Sequence, residues 1–189
     1  MNIDSRTSDS RTFKYVVSNV SSWIDIADVL VSVAYKLETE REPQNSSFIR
    51  HRFRNVYNML IGFALENYYK GAIIANRLKN GKHVKAEELD SSIKKHQLAE
   101  LASDAGVVLK DRLHKSYLEY ITKCVTWRGR YPLPTSSSDI GGSMTYRPPK
   151  EGQKHHILMG LEHAIPIDEV HKLIDQARSN VDIKRHQEG

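Results

Sequence analysis

From about Phe48 to Leu78 the chain reads as one long amphipathic helix, and a rod of that length dictates what the rest of the chain must do. Phe53, Val56, Tyr57, Leu60, Phe63, Ala64, Tyr68, Ala72 and Ile73 recur at helical spacing and form a wide apolar face. At the standard rise the helix is roughly 45 Å long. A face that wide is buried by other helices packing along it. Gly62 and Gly71 lie inside this stretch. Each costs up to about 1 kcal/mol against alanine in a helix interior. Their presence predicts close approach by neighbouring helices, or at least a mild bend.

The remaining helices follow from similar signals. Ser21-Ser22 opens a first helix, with Ser22 as cap and Asp25 in the first turn, where the helix dipole favours an anion. Trp23, Ile26, Ala27, Leu30, Val33, Ala34 and Leu37 give it an apolar stripe, and it frays near Glu40, ahead of Pro43. Asn80-Gly81-Lys82 ends the long helix with C-cap chemistry. Ser91 or Ser92 caps a short third helix carrying Ile93, Leu98, Leu101, Ala102 and Ala105, which Gly106 stops. Asp111 starts a fourth, with Leu113, Tyr117, Tyr120, Ile121, Cys124 and Val125 inward, closed by Pro132 and Pro134. Residues 135–156 are rich in Ser, Gly, Pro and Lys and read as a long loop. Pro166, Asp168 and Glu169 then open a last helix with Ile167, Val170, Leu173, Ile174 and Ala177 on one face. The fold class is all-α, an up-and-down bundle of four to five helices. Residues 1–20 form a polar tail, 21–134 the bundle, and 135–189 a loop with a C-terminal helical extension.

At 189 residues the chain is long enough to bury a core without staples. Its one cysteine, Cys124, excludes an internal disulfide and a cysteine-based zinc cluster and suits a reducing cytoplasm. Asp4, Arg6, Asp9 and Arg11 interrupt the first dozen residues, so no signal peptide is expected. No apolar run reaches membrane-spanning length, so no membrane association is expected. A formal charge of +5 and a pI near 9.2 are compatible with a polyanion such as RNA. The 28 basic and 23 acidic residues are interspersed, so an ordinary solvated surface explains the balance equally well.

The polar residues of the long helix carry the chemical interest. Glu66 and Lys70 stand one turn apart among Phe63, Ala64 and Tyr69. A carboxylate buried there must be paired or hydrogen-bonded. His96 begins the third helix, where the dipole favours a neutral imidazole over a cation. Trp127 and Tyr131 flank Arg128 and Arg130 at the end of the fourth helix, where aromatics either stack on a base or cover the end of a core. Glu66, Lys70, Trp127, Arg128, Arg130 and Tyr131 are the candidate binding residues. His96, Arg128 and Arg130 are the candidate catalytic ones. The favoured use of the cluster is to lock helix register and the chain exit; the functional alternative is a basic mouth in which Arg128, Arg130 and Lys70 face a phosphate. His155, His156, His163 and His171 match no compact metal-ligand spacing, so neither a metal nor a cofactor is expected.

Three segments taken together resemble a HEPN-type helical domain: Glu66-x-x-x-Lys70-Gly71, Lys95-His96-x-Leu98-x-x-Leu101, and Trp127-x-Gly129-Arg130-Tyr131-Pro132-x-Pro134. The resemblance covers about residues 21–134. It implies a bundle that pairs as a homodimer and brings the three segments together, so that Arg128, Arg130 and His96 become the natural partners of Glu66. Some members are metal-independent ribonucleases of toxin–antitoxin or phage-defence systems. Others bind nucleotides, RNA or partner proteins without catalysis. The active kind carries an arginine followed four to six residues later by a histidine. Arginine forks onto phosphate and histidine moves a proton near neutral pH. Here Arg77 precedes His83 across an Asn80-Gly81 helix exit. Arg54-Asn55 meets Met59 where a histidine is needed, and Arg147 stands too far from His155 and His156. Neither Arg128 nor Arg130 has a histidine within six residues downstream. The expected function is therefore a non-catalytic dimerising and binding domain, with RNA, a nucleotide or a partner protein as the ligand class. The alternatives are a metal-independent RNA endonuclease using His96 with Arg128 or Arg130, and a purely structural oligomerisation module.

Overall fold

The computed structural model describes residues 15, 17–39, 47–82, 91–109, 112–128 and 167–186, and the regular structure among them is all helical. α1 (Val20–Thr39) starts earlier than the Ser22 cap requires. Asn19 takes the capping role, its Oδ1 accepting the Ser21 N–H at 3.1 Å. Asparagine caps as well as serine, and it stands one residue ahead of the first helical position. Val17 and Val20 are buried, and the Trp23 indole donates to the Val17 carbonyl at 3.0 Å. The core therefore begins ahead of the boundary at residue 21. Ile24, Ala27 and Ala34 face inward. Ile26 and Val33, expected to share that face, are exposed instead, because α1 carries apolar residues on two opposite sides.

α2 (Ser47–Lys79) is the axle of the molecule. Ile61, Ala64, Leu65, Tyr69, Ala72, Ile74 and Ala75 are completely buried on it. α1 packs on one side, and α4 (Leu98–Asp104), α5 (Arg112–Lys123) and α6 (Ile167–His186) cover the rest. The two glycines mark the crossings. A Cβ at Gly62 would lie 2.4 Å from Val125 Cγ2 and 2.5 Å from Ile121 Cγ2. A Cβ at Gly71 would lie 3.2 Å from Trp23 Cβ and 3.4 Å from Val181 Cγ2. The helix ends as its sequence dictates. Gly81 takes φ +65°, its N–H donates to the Leu78 carbonyl at 3.0 Å, and the Lys82 N–H donates to that of Arg77 at 2.9 Å.

The third helix of the sequence reading is two pieces, α3 (Ser91–Lys94) and α4, separated at Lys95-His96-Gln97. The break has a tertiary cause. Gln97 makes no side-chain cap, and the Leu98 N–H instead donates to Thr122 Oγ1 of α5 at 3.1 Å. Gly106, at φ +77°, stops α4 as expected. α5 then passes into a single π turn, Cys124–Arg128, which packs on α2. α6 is no appendage. Val170, Leu173, Ile174, Ala177 and Val181 are buried in the same core, and α6 touches both α2 and α1. Asn180 and Gln176 of α6 also donate to the carbonyls of Ala105 and Val108, at 3.1 and 3.3 Å. No described helix is long and apolar enough to cross a membrane.

Candidate functional site

Halfway along α2 the apolar surface is interrupted by Glu66 and Lys70, each 7% exposed. Their spacing of four residues stacks them on one face, and Lys70 Nζ donates to Glu66 Oε1 at 2.6 Å. The break between α3 and α4 brings His96 onto the same carboxylate, with Nδ1 3.1 Å from Oε1 and 3.0 Å from Oε2. The His96 side chain is 54% exposed, so it closes the cluster from the solvent side. Beside it, Lys95 reaches back to Glu100 at 3.1 Å and Asp104 at 3.7 Å, and both contacts hold its ammonium above the ordinary lysine pKa.

The Glu66 carboxylate meets Lys70 on its own helix and His96, one of the three partners expected for it. Lys70 does not look out onto solvent. A lysine buried against a carboxylate on its own helix cannot swing to a ligand without leaving that carboxylate with His96 alone. Trp127 and Arg128 lie in the π turn, but their side chains are outside the described residues, as are Arg130 and Tyr131 entirely. Arg77 belongs to the capped end of α2, and its would-be partner His83 is outside the described residues, together with Arg147, His155 and His156.

Three further polar clusters carried no sequence signal. Near the start of α2, Asn58 is 2% exposed and accepts the Tyr117 hydroxyl at 3.0 Å, while Asn55 accepts that of Tyr120 at 3.4 Å. The two tyrosine rings stack with centroids 6.5 Å apart. Burial pushes the Tyr117 hydroxyl well above its ordinary pKa, as it does those of Tyr57 and Tyr69. Among the described residues, Asn58 Nδ2 and the hydroxyls of Tyr57 and Tyr69 meet no hydrogen-bond partner. On the α1 side, the Tyr68 hydroxyl donates to Asp28 Oδ1, and Arg178 of α6 reaches Asp28 Oδ2 at 2.8 Å. Burial and then this bond to Asp28 raise the Tyr68 pKa. Between α5 and α6, Glu169 takes His114 Nε2 at 2.9 Å and Lys172 Nζ at 2.5 Å, and those two hydrogen bonds hold its carboxyl below the ordinary range. Each cluster ties two or three helices together across long sequence separations. The residue types (Asp, Tyr, His, Asn) are visible in the sequence, but nothing in their spacing pairs them.

No protein-family model matches the chain, and neither a curated protein nor a solved structure matches it.

Proposed function

We propose that this chain is a non-catalytic, HEPN-like binding domain that pairs with a second copy of itself and holds RNA or a nucleotide, in a prokaryotic stress or defence setting. One observation carries the non-catalytic part: the ammonium of Lys70 is buried on Glu66 at 2.6 Å, with His96 on the same carboxylate. Freeing a cation from a buried pair costs about 3–5 kcal/mol. The cluster spends its groups on joining α2 to the α3–α4 break. The formal charge of +5 is compatible with a polyanionic ligand.

Fluorescence anisotropy with a labelled RNA oligonucleotide, read at several salt concentrations in chelator, tests the reading. Binding that weakens steeply with salt, with the RNA recovered intact, is the expected result. No binding at low salt removes RNA as the ligand and, if a nucleotide competitor series is also silent, favours the structural oligomerisation module.

The endonuclease reading has one observation in its favour. If His96 Nδ1 donates to Glu66, Nε2 is left as a base on a half-exposed ring, an arrangement suited to proton transfer. RNA cleavage without metal, lost in His96→Ala, would replace the first reading with this one.

A further inference from the structure

The outer side of α1 presents large apolar residues to solvent. Ile26 is 51% exposed, Val29 62% and Val33 49%, on the side opposite the buried Ile24, Ala27 and Ala34. With Ser22 and Lys36 they form a line spaced alternately four and three residues apart. That is the spacing of a helix–helix seam, in which residues three and four apart fall on one face. Asp25, exposed beside Ile26, stands at one end of the line, and exposed Lys36 stands at the other.

From this register we infer that the outer face of α1 is the contact surface for a second copy of this chain, packed antiparallel across a two-fold axis at the level of Val31. The inference rests on the dimeric part of the function proposed above and gives it a location. In that arrangement Val29 lies over the second copy's Val33, and the reverse contact repeats it on the other side of the axis. Ile26 lies over the stem of the second copy's Lys36, a side chain well suited to covering apolar surface. The Lys36 ammonium then reaches the second copy's Asp25. A two-fold axis makes this charge pair twice, so the surface complements itself, as an isologous contact must. A lipid surface is a poor alternative, because membrane-seated amphipathic helices carry basic flanks and this seam carries one acid and one base. A seam of about three turns falls below about 1,200 Å² of buried surface, which fits a reversible dimer and not an obligate one.

The test is sedimentation equilibrium of the full chain across the micromolar range. The wild-type chain should pass from the 21.6 kDa monomer to twice that mass. Val29→Glu changes a mostly exposed position and should leave helix content by circular dichroism unchanged. It should weaken association about tenfold or more, since it puts a carboxylate into both central layers. Asp25→Lys and Lys36→Glu should each weaken association severalfold, and the double exchange should restore it. A dimer indifferent to Val29→Glu, or a double exchange that fails to recover, overturns the α1 seam while leaving dimerisation standing. A wild-type chain that stays monomeric throughout overturns the dimeric reading itself.

Discussion

Replacing Glu66 by methionine removes the acid while keeping side-chain length and helix propensity close to the original. What remains is a lysine ammonium that is 7% exposed and has lost a partner at 2.6 Å. Removing one member of a buried pair costs about 3–5 kcal/mol. His96 loses its anchor as well, but its half-exposed ring turns to water at a cost of about 1 kcal/mol or less. For a chain of this size, about 3 kcal/mol corresponds to a melting temperature lower by roughly 6–12 °C. Replacing both partners, Glu66→Met with Lys70→Met, removes both charges and should return stability to within about 1 kcal/mol of wild type, because an apolar pair of similar volume fills the site without desolvating an ion. The measurement is urea denaturation followed by circular dichroism and tryptophan fluorescence, closed as a double-mutant cycle in which the double variant should lose far less than the two single losses added together. A single-variant loss below about 1 kcal/mol would mean that the Lys70 stem carries its charge to water, and the case for a locked cluster would fail. A double variant as unstable as the sum of the singles would fail it too.

Gly62→Ala should lower stability by about 1–2 kcal/mol, since the contacts at 2.4 and 2.5 Å with Val125 and Ile121 outweigh the roughly 1 kcal/mol gained in helix propensity, whereas Gly71→Ala, at 3.2 Å and beyond, should cost less; thermal melts of the two side by side check the order. Tyr69→Phe should raise stability by about 1 kcal/mol or more in urea titrations, because it removes a fully buried hydroxyl with no partner among the described residues. The hydroxyls of Tyr57, Tyr68, Tyr69 and Tyr117 are all raised above the ordinary tyrosine value of 10.0. The unfolded chain therefore ionises first as pH climbs. The fold should be insensitive to this effect below pH 10.0 and lose stability steadily above it, with the tyrosinate absorbance of these four residues appearing together with unfolding.

Local signals in the sequence located much of this. Gly62 and Gly71 pointed to helix crossings, with a mild bend as the other reading, and the crossings are what the fold shows; Gly81 and Gly106 ended their helices as the left-handed conformation requires. That Glu66 needs a partner was legible because a charge surrounded by apolar residues has to find one, and Lys70 stands one turn away; His96 entered as a candidate only through the resemblance. What could not be read depended on residues far apart. The split between α3 and α4 comes from the Thr122 hydroxyl of another helix, which meets the Leu98 N–H. The Asp28–Tyr68–Arg178 cluster joins positions 150 residues apart. α1 misled for a different reason: its periodicity is apolar on two sides, and periodicity alone does not say which side the core takes. The inclusion of α6 in the core was hidden by the long polar stretch before it.

The π turn at Cys124–Arg128 gives the chain an unusual sensitivity to length. A π turn takes up one residue more than the surrounding α geometry would. Each residue of a helix advances its direction by about 100°. Loss of a single amino acid from this turn after Val125 would restore ordinary winding, with Val125 itself fixed against Gly62. A one-codon deletion just after Val125 would therefore rewind the turn while leaving the anchor of the α2 crossing in place.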